Sequence, residues 1–409
     1  MKFLPLILCF FFSLLGNAQV IDEIRLKNHI YYLASDKLEG RLPGSEGETL
    51  AYTYIEKEFN SYGLVPKGEN GYLQVFSYTY HSNPHDTLET NGISRTGTNV
   101  IAYLNNHSDK TVIIGAHYDH LGMGMDFNSL DKNRGYAVHN GADDNASGTA
   151  GVLELARNLS ENNVQEKSNY LFICFSAEED GLIGSKYFTN NPTVDLSKVS
   201  YMINMDMIGR LNESTQSLMV YGIGTSPEFE PNFPTQPKNL NLVTDSAGIG
   251  PSDHTSFYLK EIPVLFFFTG QHADYHKSTD DAEKINFAGQ KRVLNFILET
   301  IMNLDKKEKL AFTPVKLKKQ EQRVELNVSL GIMPDYTYEG KGLRMDAVIE
   351  DKPAEKAGMK DGDVIILIDK TKIEDIYDYM DGLAKYNIGD SAMMKVVRNK
   401  AELDLKVIF

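Results

Sequence analysis

The sequence predicts an α/β protein with a mostly parallel central sheet flanked by helices, followed by a small β-rich domain. Three observations carry this. Short, almost continuously apolar runs alternate with helix-patterned segments between residues 111 and 304. Runs apolar on both faces suit strands covered on two sides, which is how parallel sheets are built. A lysine-rich stretch then interrupts the pattern, and the residues after it, 322–409, are enough for a second domain.

Taken in order, Met1-Lys2 gives a positive start, Phe3 to Leu15 is apolar, and Gly16-Asn17-Ala18 supplies small residues. This is the layout of a secretory signal peptide, residues 1–18, cleaved near Ala18. The apolar run is short for a bilayer, which needs roughly 20 residues. The expected location is therefore periplasmic or extracellular, without membrane anchoring after cleavage. Cys9 lies inside that run and lacks the small residues before it that lipid attachment favours. Only Cys174 then remains, so no internal disulfide can form. Its setting, Leu171-Phe172-Ile173-Cys174-Phe175, is that of a buried strand.

Residues 22–66 read as helical with a break at Leu42-Pro43-Gly44, and Glu48 to Tyr62 carries apolar residues at helical spacing up to Gly63. Residues 72–110 hold strand-like runs and a polar insert, His81 to Thr98, in which His81 and His85 read as surface residues. Strands follow at Thr111–Ala116, Tyr170–Ser176, Ser200–Met205 and Ile262–Phe268. Helices are expected at Ala146–Leu159, near Ser185–Thr189 and at Phe287–Leu304. The first domain thus spans 19–304. Lys306, Lys307, Lys309, Lys316, Lys318 and Lys319 mark a solvated linker, 305–321. The formal net charge of -15 sets the surface against nucleic acid and anionic membranes, which it should repel.

The chemistry gathers where the strands end. After Ala116 comes His117-Tyr118-Asp119-His120. After Ser176 comes Ala177-Glu178-Glu179-Asp180. Met205-Asp206-Met207 ends the third strand, and Tyr275-His276 follows the fourth. Gly141-Ala142-Asp143-Asp144-Asn145 lies between the first strand and its helix. Ligands of open parallel sheets bind at the carboxyl ends of strands. Zinc takes histidine nitrogen and carboxylate oxygen, and a catalytic site keeps a position open for water. A pair of metals about 3.5–4 Å apart suits five such ligands with one bridging carboxylate. Glu178 and Glu179 could divide the work, one on metal and one moving a proton. Asp143 and Asp144 compete for the bridge, and the alternative role of Asp143 is to cap the helix near Ala146. His120 and His139 lie close in sequence and read as supporting or solvent-exposed residues, and Asp253 and His254 as loop-stabilising ones. Asn145-Ala146-Ser147 and Asn212-Glu213-Ser214 fit the glycosylation pattern.

These residues resemble the two-zinc aminopeptidases of metallopeptidase family 28. The resemblance covers about residues 25–300. It includes Ala34 to Arg41 (ASDKLEGR), Pro43-Gly44-Ser45, His117 to Gly122, Asn140 to Gly148, Glu178 to Gly181, Asn204 to Gly209 and Ser252-Asp253-His254. It implies two zinc ions per chain. His117 and Asp206 would bind one, Glu179 and His276 the other, and Asp144 would bridge them. Glu178 would be the general base acting on zinc-held water, Asp119 would orient His117, and Tyr275 would stabilise the tetrahedral intermediate. The implied reaction is removal of N-terminal amino acids from peptides. Glutaminyl cyclisation occurs on the same fold with one zinc and an incomplete ligand set. A carboxypeptidase or dipeptidase is a third reading.

Residues 322–409 resemble PDZ domains, most specifically at Pro353-Ala354 to Gly358 and Gly362-Asp363, with a closing hairpin over Val396-Val397 and Leu403 to Val407. Such domains add a peptide strand to a sheet edge and capture its terminal carboxylate in loop amides. Leu330-Gly331-Ile332 would supply that loop and Ile373 to Lys385 the groove wall. A protein acting only by binding peptides through this domain is the non-enzyme alternative.

Overall fold

The computed structural model describes residues 21–80, 92–125, 128–131, 135–235, 239–315, 327–334, 338, 340–348, 352–374 and 376–409. The signal-peptide segment and His81 and His85 lie outside them.

The chain enters through α1 (Glu23–Leu33), with Asp22 accepting the amides of Ile24 and Arg25 as its N-cap. Leu26, Ile30 and Leu33 recur at helical spacing and are fully buried. A tight turn, Asp36–Arg41, leads to α2 (Glu46–Ser61). Pro43 and Gly44 fall in the break between them, and Gly63 ends the second helix with φ of 72°.

Next come β1 (Val65–Pro66), β2 (Leu73–Tyr80), β3 (Ile93–Leu104) and β4 (Thr111–His117), then α3 (Gly148–Glu161) and β5 (Asn169–Phe175). After these stand α4 (Ile183–Asn190), β6 (Val199–Met205), β7 (Ser217–Tyr221), β8 (Asn241–Thr244), α5 (His254–Tyr258), β9 (Val264–Phe268) and α6 (Phe287–Asp305). The sheet order is β1-β3-β5-β4-β6-β9-β7-β8, with β2 beside β3. Strands β5, β4, β6 and β9 are mutually parallel. Antiparallel pairing begins at β3 on one side and at β7 on the other. The four central strands are buried along their whole length, as helices on both faces require.

Three expectations change. Residues 93–98, assigned to a polar insert, belong to β3 and pair with β2. The helix expected from Ala146 starts at Gly148, preceded by a wide turn over Ala142–Ser147. The start of the linker is not solvated: Leu310 is 4 % exposed and its amide donates to Ser200, and Phe312 packs on Tyr258.

The second domain comprises β10 (Ile332–Pro334), β11 (Leu343–Val348), α7 (Pro353–Lys356), β12 (Val364–Ile368), β13 (Thr371–Lys372), α8 (Ile376–Leu383), β14 (Ser391–Arg398) and β15 (Ala401–Ile408). Its sheet runs β10-β11-β12-β14-β15, all antiparallel. Among the described residues, its buried cluster, including Leu330, Met345, Ile365, Met394 and Val396, draws only on its own residues.

Candidate metal centre

The central strands end at one edge, and the chain turns sharply there. Ala177, Met207 and His276 all take left-handed backbone conformations, at φ of 55°, 50° and 54°. Such conformations are uncommon outside glycine and concentrate at functional sites. They aim the side chains of neighbouring strand ends at one point.

Asp119 ties the first two strand ends together. Its Oδ1 accepts the amide of Glu178 at 3.1 Å and its Oδ2 that of Glu179 at 3.3 Å. The same Oδ1 lies 3.6 Å from Nδ1 of His117, whose other neighbour is the Asp119 carbonyl at 3.3 Å. The imidazole is thereby oriented with Nε2 inward.

Around that Nε2 stand Asp206 Oδ1 at 3.3 Å, Asp144 Oδ1 at 3.5 Å and Glu178 Oε2 at 3.9 Å. The second oxygen of Asp144 faces the other way, 3.2 Å from His276 Nε2. Glu179 Oε2 lies 3.1 Å from the same nitrogen. The five expected ligands therefore converge as two groups that share one carboxylate. His120, rather than the expected His276, stands with Asp144 and Glu179 in the cluster whose donor atoms lie close enough to share one ion, its Nδ1 at 2.7 Å from Glu179 Oε1.

His117 Nε2 and Asp206 Oδ1 are buried without a hydrogen-bond partner. Orphaned buried polar atoms are costly, and two side by side in a nitrogen-and-oxygen cage suit a divalent cation such as zinc. Asp206 Oδ2 accepts from Ser252 Oγ at 2.8 Å, and Ser252 in turn accepts from Asn204 at 2.8 Å. Burial, reinforced by Asp206, Asp253 and Glu179, pushes the Glu178 carboxyl well above the usual range, against the pull of His117.

The turn that presents Asp144 is held from beneath. Asp280 accepts the amides of Asp143 and Asp144 at 2.9 and 3.0 Å. Asn145 bridges to β6, donating to the Met205 carbonyl at 3.0 Å and accepting from Met207 and Gly148. The capping role considered for Asp143 is not observed. Its carboxylate accepts from Gly209 at 2.7 Å and faces His272 at 3.2 Å. Nor are His120 and His139 exposed; both are fully buried. Asn145 is likewise buried, which removes it as a glycosylation acceptor, whereas Asn212 is exposed.

Asp280 and Asn128 were not foreseen as part of the site, and Ser252, known only from the motif Ser252-Asp253-His254, had no role assigned. The Asn128 carbonyl meets His276 Nδ1 at 2.8 Å and so directs Nε2 into the cage. A backbone carbonyl leaves no mark in sequence. Asp253 and His254 lie buried, with both carboxylate oxygens and both ring nitrogens unpartnered, and His254 stacks on Phe266 at 4.5 Å. Tyr275 stacks on His276 at 3.8 Å. The cage opens into a pocket lined by Asp144, Glu178, Glu179, Asp206, Gln271 and His276 together with Met207, Tyr221, Pro251, Phe266, Phe268 and Tyr275.

Both parts of the chain are similar to known proteins. Residues 99–301 match peptidase family M28, and residues 315–409 match the PDZ domain family. Leupeptin-inactivating enzyme 1 of Streptomyces exfoliatus is 34% identical over 203 residues, covering 48% of this chain and 41% of that protein. A probable leucine aminopeptidase of Arthroderma otae is 30% identical over 220 residues, covering 50% and 57%. The chain thus spans about half the length of these curated relatives. An aminopeptidase from Aneurinibacillus sp. strain AM-1 shares the fold at a TM-score of 0.54 and 17% identity, over 74% of this chain and 98% of that one. A Bacteroides thetaiotaomicron glutaminyl cyclase shares it at 0.55 and 20%, over 70% and 99%. Residues 99–301 of this chain thus form a peptidase family M28 domain, and a PDZ domain follows it.

Proposed function

We propose that the protein is an exported two-zinc aminopeptidase that releases apolar N-terminal residues from peptides. The observation that carries this is the Asp144 carboxylate, whose two oxygens face two separate ligand groups. His117, Asp144 and Asp206 would hold one zinc, and Asp144, Glu179 and His276 the other. The bound pair would supply Lewis-acid polarisation and acidify water at neutral pH.

The chain's own residues do the rest. Glu178 lines the pocket without belonging to either ligand group. Its place beside both ligand groups suits a carboxylate that takes a proton from water and returns it to the leaving amine. Asp119 fixes both His117 and the Glu178-Glu179 backbone, so base and ligands keep their spacing. The Tyr275 ring, packed on His276, borders the space where a tetrahedral oxyanion would form.

One part of the pocket, formed by Met207, Tyr221, Pro251, Phe266 and Phe268, is largely apolar, and the rest is lined by Asp144, Glu178, Glu179, Asp206, Gln271 and His276. The apolar part favours a leucine, methionine or phenylalanine side chain over a charged one, since burying an unpaired charge there is costly. Export rests on the apolar run Phe3 to Leu15 and the small residues after it. No helix among the described residues is long and apolar enough to cross a membrane. The PDZ domain supports a peptide-binding role, with Leu330-Gly331-Ile332 as the carboxylate loop.

The test is zinc content per chain together with an aminoacyl-anilide panel, with and without chelator. About two zincs and chelator-sensitive release of leucine and phenylalanine are expected. One zinc and no amide hydrolysis would replace this reading with glutaminyl cyclisation.

A further inference from the structure

Arg41 closes the motif Leu38-Glu39-Gly40-Arg41, and the mechanism above leaves it without a task. It is completely buried. Its guanidinium donates to four backbone carbonyls: Leu33 at 2.5 Å, Tyr118 at 2.6 Å, Asn140 at 2.7 Å and Gly141 at 3.0 Å. Among these bonds there is no carboxylate. The backbone of Arg41 joins in, accepting the amide of His120 at 3.3 Å.

Each contact has a meaning for the metal cage. Tyr118 lies between His117 and Asp119. Asn140 and Gly141 lead into the turn that presents Asp144. One side chain therefore clamps the loops bearing a ligand of the first zinc and the bridging ligand. The chain accepts an unusual backbone to place it: Glu39, Gly40 and Arg41 are successively left-handed, at φ of 48°, 67° and 49°. At Gly40 a side chain is excluded, because a Cβ would stand 2.5 Å from the Gly122 carbonyl oxygen. Runs of strained residues persist only where the surroundings over-determine them.

The charge matters as much as the clamp. A buried cation normally pairs with an anion. Here the anions that offset it are Asp119, Asp144, Asp280 and Glu179, which act across space, while burial alone works to drive its proton off. With metal bound, the acidic cage is neutralised by the metal. Without metal, Arg41 remains as a fixed positive charge beside these carboxylates, together with Arg210, 3.9 Å from Asp280.

Building on the two-zinc reading, we propose that Arg41 is the positioning residue of the metal centre, clamping its ligand loops and serving as its countercharge when metal is absent. A purely structural residue stabilises the loaded and metal-free protein equally. A countercharge stabilises the metal-free protein more.

The experiment compares thermal unfolding of the full chain with zinc and with chelator, for wild type, Arg41→Gln and Arg41→Lys, with zinc stoichiometry measured in each. In Arg41→Gln the fall in Tm caused by chelator should exceed the wild-type fall by at least about 5 °C, while the zinc-loaded form keeps its metal. Arg41→Lys, which keeps the charge, should show the wild-type fall. Equal falls in Arg41→Gln and wild type would overturn the countercharge. If Arg41→Gln does not fold even with zinc, Arg41→Lys decides: a wild-type fall supports the proposal, and a widened fall overturns it. Wild type that binds no zinc would instead remove the two-zinc reading itself, so the two failures are distinguishable.

Discussion

Glu178 and Glu179 are neighbours in the chain and differ in what surrounds them. Glu179 is engaged on both oxygens, by His276 Nε2 at 3.1 Å and by His120 Nδ1 at 2.7 Å. Glu178 Oε2 lies 3.9 Å from His117 Nε2, and the side chain faces the pocket. A carboxylate held on both oxygens suits a metal, and one free to move suits proton transfer. Glu178→Gln keeps size and backbone contacts but removes the exchangeable charge. It should retain wild-type zinc content, measured by metal analysis, while turnover falls about 10²–10⁴-fold. Full activity in that variant would take the base role away from Glu178. Loss of zinc would place the residue among the ligands.

At the scale of elements, the start of α2 carries a titratable joint. Ser45 accepts the amide of Glu48, and Glu48 Oε2 accepts that of Gly44 at 2.7 Å, a reciprocal cap. The other oxygen accepts from Ser176, from Tyr118 at 3.2 Å and from the Thr98 amide at 3.3 Å. One carboxylate thus joins α2, β3 and the ends of β4 and β5. Burial raises its pKa to about 7 from 4.5, against the pull of the Ser176 and Gly44 hydrogen bonds. Between those values the unfolded chain has released the proton that the folded chain keeps, so the contribution of Glu48 to stability falls as pH rises. The Tm of wild type minus that of Glu48→Gln should be highest below pH 4.5 and decline up to about pH 7. A difference that is constant over that range would show that Glu48 titrates normally.

The elements also show what a sequence can carry. The four central strands were legible because burial on both faces forces apolar runs, and parallel order forces helices between them. Their ends were legible because chemistry collects there, which is why His117, Glu178, Glu179 and Asp206 stood out. Strand β8, Asn241–Thr244, is short and only partly buried, so it leaves no apolar signature, and β7 is scarcely longer. The first half of β3 forms a ribbon with β2 whose outer positions are solvated, and its residues read as polar insert. The clamp of Arg41 on four carbonyls and the Asn128 carbonyl on His276 were invisible for a deeper reason. Backbone acceptors are the same at every residue, so only the folded chain shows which are used.

For the molecule as a whole, the decisive feature is that its apolar interior is divided. One cluster gathers Leu26, Ile114, Leu153, Phe172, Ile203 and Leu294 from the peptidase domain, and another gathers Leu330, Ile365 and Val396 from the PDZ domain. Among the described residues, neither takes a member from the other. Cooperativity in unfolding follows shared buried surface, so two separate cores should melt as two units. Unfolding enthalpy scales with chain length at roughly 0.7 kcal/mol per residue near 60 °C, which assigns the larger heat to the peptidase domain. Zinc bound in the peptidase domain stabilises only the unit that holds it. Calorimetry of the full chain should therefore show two transitions, with chelator lowering the larger and leaving the smaller in place. One transition that moves as a whole under chelator would mean that the domains unfold together. The PDZ domain would then be part of what keeps the metal centre folded, and peptide bound in its groove would reach the catalytic site through stability alone.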